Sequence, residues 1–164
     1  LGRFAFVIDP VGAAIGLWEP GKHEGFVERG VPGTPYWFDC MSRSYDATKS
    51  FYRTVFDWQL DEIGSGGQDG SFGPDRYSQV LAGTDAQRDA VAGIMDAAKL
   101  HPAEVPSFWQ VYITVDDVDA SVKHAQELGG TALMPGEVTP YGTLAVITDP
   151  LGAVIALGHP PNGM

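Results

Sequence analysis

Cysteine occurs once in the 164-residue chain, at Cys40, so no intrachain disulfide can form and no cysteine-based zinc site can be built. Both exclusions suit a reducing compartment, and a cytoplasmic protein is expected. Basic residues are scarce: 10 Lys and Arg stand against 21 Asp and Glu, for a formal charge of −11. Such a balance repels phosphate backbones and anionic lipid, so neither nucleic acid nor a membrane surface is an expected partner. Long apolar runs are missing too, none approaching the roughly 18 residues of a membrane span. Arg3, Asp9-Pro10 and Gly12 interrupt the apolar first eighteen residues, which lack the pattern of a signal peptide. The histidines His23, His101, His124 and His159 show no metal-like spacing, and solvated surface imidazoles are expected.

What is present points to a folded domain. Hydrophobic residues make up 44% of the chain and charged ones 19%, a composition that supports a core rather than a disordered acidic tail. The length fits one domain with an appended piece better than two full domains.

The two ends of the chain repeat each other. Residues 1–20 (LGRFAFVIDPVGAAIGLWEP) and 141–160 (YGTLAVITDPLGAVIALGHP) align without gaps, with nine of twenty positions identical. Each copy reads as a strand, an Asp-Pro-x-Gly turn and a second strand: Asp caps the turn, Pro presets φ, and Gly takes the final position. The second copy closes a long patterned region, whereas nothing stands before the first. The N-terminal copy is therefore expected to be the closing hairpin of a truncated preceding domain, joined through a Gly/Pro-rich linker at 21–34. A hairpin native to this domain is the other reading.

Residues 35–160 divide into two halves with the same order of elements. The first half has a strand at 35–42, a helix at 45–57 with Ser44 as N-cap and Ala47, Phe51 and Val55 on one face, and strands near 59–63, 76–83 and 90–96. The five-glycine segment 64–75 lacks a lysine and opens no helix, so it fits a mobile lid or disorder better than a phosphate cradle. The second half has a strand at 107–115, then a helix at 117–128 capped by Asp116 or Asp117 and stopped by Gly129-Gly130. Val118, Val122 and Ala125 of that helix point inward. Strands at 131–134, 143–149 and 153–158 complete it, so the order is βαβββ twice, with modules at about 35–97 and 107–159.

That order, the SFYRTVFDW helix and the closing ITDPLGAVIAL resemble the vicinal oxygen chelate superfamily, which includes glyoxalase I, extradiol dioxygenases, fosfomycin-resistance enzymes and bleomycin-binding proteins. Within it, the chain resembles tandem-domain, glyoxalase-like bacterial proteins often labelled hydroxylases. The resemblance implies an α+β fold, in which two βαβββ modules form curled mixed sheets around a cavity, beside the N-terminal hairpin. It also implies a dimer, either a homodimer or a pairing with the missing tandem domain.

Strand alternation, applied to that fold, separates cavity positions from helix-facing ones. On 35–42 it places Trp37, Asp39 and Met41 on one face and Tyr36, Phe38 and Cys40 beneath the helix. On 107–115 Gln110, Tyr112 and Thr114 oppose Trp109, Val111, Ile113 and Val115. Trp37, Asp39, Gln110, Tyr112 and Ala156 are the expected ligand-binding residues, with Val154 beside them. The resemblance implies metal ligands at the positions of Trp37, Gln110 and Ala156 and a carboxylate near Gly93 to Met95. This chain supplies indole, amide, methyl and no aligned carboxylate there, so no metal or other cofactor is expected. Gly16 repeats the loss in the first copy. A divalent metal in an atypical ligand set is the alternative. Cys40 reads as a small buried hydrophobe.

Asp39 is the one catalytic candidate, either a general base or receiver of a cationic group, or else a carboxylate held by a partner such as Arg43. Two functions stay open. One is a metal-free domain that sequesters a cationic or aromatic small molecule. The other is an enzyme of the glyoxalase, dioxygenase or hydroxylase kind, acting as a lyase, isomerase or oxygenase with an atypical metal set or a metal-free acid and base.

Overall fold

The computed structural model describes residues 1–25, 27–63, 75–84 and 87–159. The proposed lid at 64–75 lies outside these, apart from Asp75. The chain forms two compact units, one of Leu1–Gly25 and Phe38–Trp109, the other of Phe26–Trp37 and Gln110–Met164. The order of elements is the expected one: a hairpin, then βαβββ twice.

The first unit opens with the hairpin β1 (Gly2–Ile8) and β2 (Ala14–Pro20), a two-stranded sheet of its own. The first module follows: β3 (Pro35–Ser42), α1 (Tyr45–Phe56), β4 (Gln59–Ile63), β5 (Tyr77–Thr84) and β6 (Gln87–Asp96). β4, β5 and β6 run antiparallel in that order, and β6 lies parallel to β3. Asp57 ends α1 in the left-handed conformation, at φ 55°, a position that Asp tolerates better than most residues.

Helix α1 does not use the expected stripe. Ala47 and Val55 are exposed and Phe51 is half-buried, whereas Tyr45, Thr48, Lys49 and Tyr52 are buried. The sequence carries two stripes of helical period, and the one with the larger rings goes inward because it removes more apolar area from water. Tyr52 stacks on Trp58 at 4.7 Å and meets Trp109 edge-on at 5.6 Å. Cys40, Val80, Ala92 and Ile94 of the sheet complete this core. Ser44 occupies the N-cap position, but its side chain makes no cap bond. Ser42 takes over: its Oγ accepts from the Ser44 N–H and bonds the Thr48 hydroxyl at 2.6 Å.

In the second unit β7 (Phe108–Thr114) leads to α2 (Val118–Glu127), β8 (Thr131–Thr139), β9 (Gly142–Thr148) and β10 (Val154–His159). β8, β9 and β10 are antiparallel, and β10 lies parallel to β7. Asp117, of the two expected caps, accepts from the Ala120 N–H. Val118 and Val122 of α2 pack on Ile113, Ala145, Ile147, Ile155 and Leu157, as the alternation requires. Gly129 follows the helix at φ +92°, a backbone conformation that suits glycine.

Candidate functional site

Each unit places some of the expected site residues, and the two groups are described separately. In the first unit Asp39 is buried and accepts a 2.7 Å hydrogen bond from the Tyr77 hydroxyl. Register explains the meeting. Asp39 pairs with Gly93 across β3 and β6, and Gly93 pairs with Gln79 across β6 and β5, so Tyr77 reaches over a residue without a side chain. A Cβ on Gly93 would collide with the Tyr77 oxygen and with Asp39 Oδ1. Glycine is thus a requirement of this close approach. Tyr77 is one site residue that sequence reasoning missed. The available signal was a glycine inside an otherwise apolar strand, but its cross-strand neighbour depends on register.

The Arg43 partnership does not form. Its guanidinium donates to the carbonyls of Ala98, His101, Pro102 and Val105, tying down the segment after β6. Cys40, buried behind Asp39 on the α1 side, has its thiol pKa pushed up by burial and by the carboxylates of Asp9 and Asp39, so the inert reading holds. His101 departs from the expectation of a solvated ring: it is half-buried, 5.5 Å from the Phe108 ring. Burial and the neighbouring Arg43 lower its pKa. His23, His124 and His159 are exposed as expected.

In the second unit Gln110, Tyr112 and Ala156 are buried and Trp37 is half-buried. Ala156 pairs with Tyr112 across β10 and β7, on the side of the sheet away from α2. Val154 is exposed. The Gln110 amide nitrogen donates to the Val111 carbonyl at 3.0 Å. Tyr36 corrects the alternation. Phe38 and Cys40 pack beneath α1 in the first unit, whereas the Tyr36 ring meets Tyr112 edge-on at 6.1 Å. Its hydroxyl fills the space that a Cβ on Gly158 would occupy. The missing Cβ opens a slot for a phenol ring, and the alternation of β3 carries no information about that slot. Tyr36 therefore joins the candidate residues.

The donor set fits a first-row metal poorly. The positions that the resemblance assigns to metal carry an indole, an amide and a methyl, and the β6 position is filled by the Asp39–Tyr77 pair over Gly93. Among the described residues no three or more His, Cys, Asp or Glu side chains gather as a metal site would require. A shallow depression of about 400 Å³ opens beside Thr114, Asp116, Asp117 and His124, and none of the expected site residues lines it. No helix among the described residues is long and apolar enough to cross a membrane.

Comparison with known proteins agrees with the fold and sets its context. Residues 37–157 match the family described as "Glyoxalase/Bleomycin resistance protein/Dioxygenase superfamily". A Mycobacterium tuberculosis protein named "Putative glyoxylase CFP32" is 32% identical over 97% of this chain and 56% of its own length. The "Anthracycline biosynthesis protein DnrV" of Streptomyces peucetius is 33% identical over 93% of this chain and 51% of its own. The chain thus spans about half the length of the curated relatives it matches. Among solved structures, a methylmalonyl-CoA epimerase variant of Streptomyces coelicolor superposes with a TM-score of 0.52 at 14% identity. That match covers 76% of this chain and 95% of the epimerase, and it shows the fold alone.

Proposed function

The chain belongs to the glyoxalase/bleomycin resistance protein/dioxygenase superfamily, and on that premise we propose that it binds a small organic molecule through an aromatic face, without the metal usual in such folds. The observation that carries this reading is the content of the second unit's face away from α2. Tyr36 and Tyr112 stand edge to face there, with Ala156 and Gly158 keeping the β10 surface low beside them. Gly158 admits the Tyr36 ring against β10, and the paired phenol rings, with the Trp37 indole and the Gln110 amide, supply aromatic and polar groups suited to a flat molecule. A charge of −11 favours a cationic partner. An anthracycline, planar and carrying an ammonium group, is a suitable first probe, a choice also prompted by the name of the Streptomyces relative.

The test is a thermal-shift and tryptophan-fluorescence titration of the purified protein with daunorubicin and with an uncharged planar analogue. A saturable rise in Tm that Tyr112→Ala and Trp37→Ala each weaken at least tenfold in Kd supports the reading. The absence of any shift with either probe removes it.

A second reading, an enzyme, is favoured by the Asp39–Tyr77 pair. A buried carboxylate accepting from a phenol is an arrangement that moves a proton, and it suits isomerase or lyase chemistry. Asp39→Asn would abolish turnover of a substrate if this reading holds and would leave ligand affinity within a few-fold if it does not. Metal analysis of the purified protein separates both readings from an atypical metalloenzyme.

A further inference from the structure

Tyr77, which donates to Asp39, is the first residue of its strand. A strand end has few ladder bonds to hold it and frays readily. At this end β5 meets Ile63, the last residue of β4, on one side and Met95 of β6 on the other, and the Arg76 carbonyl accepts from the Asp96 N–H at 2.9 Å. Along a strand, neighbouring side chains alternate between the two sides of the sheet. Ser78 faces α1, where its hydroxyl bonds that of Tyr45 at 2.6 Å, both residues being buried. Arg76 reaches to the same side. Its guanidinium donates to both oxygens of Asp46 in the first turn of α1, at 2.9 and 2.7 Å, and lies 3.6 Å from Glu62 of β4.

This contact is more than an isolated surface pair. The guanidinium carbon stands 4.3 Å from the centre of the Tyr45 ring, and Lys49 Nζ stands 4.6 Å from it. Lys49 is buried and donates to Glu62, so two cations meet two carboxylates against one ring. Hydrogen bonds from Arg76 lower the pKa of Asp46, and those from Lys49 lower that of Glu62. Linked charges on an aromatic face hold a geometry that a single exposed pair does not. Arginine suits the position because its planar fork can meet a carboxylate with two bonds while its face lies on a ring.

We propose that Arg76 is a positioning residue: by gripping α1 and β4 on one side of the sheet, it holds Tyr77 within hydrogen-bond reach of Asp39 on the other. For catalysis this role rests on the enzyme reading of the Asp39–Tyr77 pair, but the hydrogen bond that it controls is observable without turnover.

The test is NMR of the protein labelled with carbon-13 at tyrosine Cζ, a nucleus that responds to hydrogen bonding of the phenol. Tyr77→Phe assigns the resonance, and Asp39→Ala marks its position without the bond. Arg76→Lys keeps the charge and loses the fork, and is expected to move the Tyr77 resonance at least half of the way to the Asp39→Ala position. Asp46→Asn, at an exposed carboxylate, is expected to move it the same way by less, and keeps the test decisive if the Arg76 variant does not fold. Lys99→Ala breaks the exposed ion pair of the neighbouring Asp75 and should leave the resonance in place. An unmoved resonance in Asp46→Asn and in a folded Arg76→Lys overturns the proposal whatever happens to Tm, as does an equal shift in Lys99→Ala. For any substrate that the protein turns over, Arg76→Lys should lower kcat about tenfold and leave KM within about twofold. A shifted resonance in a protein without turnover sustains the positioning and removes the enzyme reading, whereas full turnover with an unmoved resonance does the reverse.

Discussion

Two hairpins that share the same turn and nine of twenty residues sit in this molecule as a comparison of what a turn determines and what its surroundings determine. Asp9 is buried, at 4% exposure, and accepts a bond from the Tyr52 hydroxyl, which itself accepts from the Trp109 indole. Ala13, two residues past the tip, is fully buried in the core of the first unit. The matching Asp149 and Ala153 are exposed, and Leu151 at the tip is 94% exposed. At matched strand positions the contrast runs the other way: Ala145 and Leu157 are buried beneath α2, whereas Ala5 is exposed and Leu17 half-buried, and the opposite face of β1–β2 presents Phe4, Phe6 and Trp18 to solvent. One hairpin is anchored by its turn and the other by its strands. A short polar turn can be fixed by its own side chain, whereas strands need a neighbouring surface to bury against.

The largest expected effect tests the strands. Leu157→Ala removes a buried side chain from beneath α2 and should cost about 2–5 kcal/mol in urea denaturation. The matched Leu17→Ala, at a half-buried position, should cost about 1 kcal/mol or less. Equal losses would break the contrast.

The turns come next, with the asymmetry reversed. Asp9→Ala strips two backbone N–H groups and the Tyr52 hydroxyl of an acceptor and should destabilise by about 2 kcal/mol. Asp149→Ala, in solvent, should cost about 0.5–1 kcal/mol. A double-mutant cycle with Tyr52→Phe should show coupling to Asp9 and none to Asp149. Coupling to both, or to neither, would mean that the anchoring does not run through Tyr52.

The smallest effect concerns pH and belongs to the first unit alone. Burial and Arg43 hold the His101 pKa below its ordinary value of 6.5, so the unfolded chain binds this proton more readily than the folded one. Stability from this group is fully present above pH 6.5 and declines as pH falls from there through the lowered folded value. His101→Gln should flatten that part of a Tm-against-pH curve, and an unchanged slope would exclude the imidazole as its source.

Much of the fold was legible because it rests on local rules. Period-2 alternation, the Asp117 cap, the Gly129-Gly130 stop and a repeated Asp-Pro-x-Gly turn place the ten strands and two helices found among the described residues. The buried stripe of α1 was not legible, since Ala47-Phe51-Val55 and Tyr45-Thr48-Tyr52 both satisfy the helical period and only the sheet beneath chooses between them. At the candidate site, alternation set Asp39 apart from Cys40 and Tyr112 from Ile113. It could not show that Tyr77 reaches Asp39 over Gly93, or that Tyr36 enters the slot at Gly158.

The sequence by itself determined the order of elements, the acidity and the geometry of both turns, because each depends on residues a few positions apart. Tertiary structure alone decided which turn is buried, which helix face goes inward and which tyrosines meet the site. Those outcomes depend on cross-strand register and on the space left by absent side chains, which residues distant in sequence create only once the chain has folded.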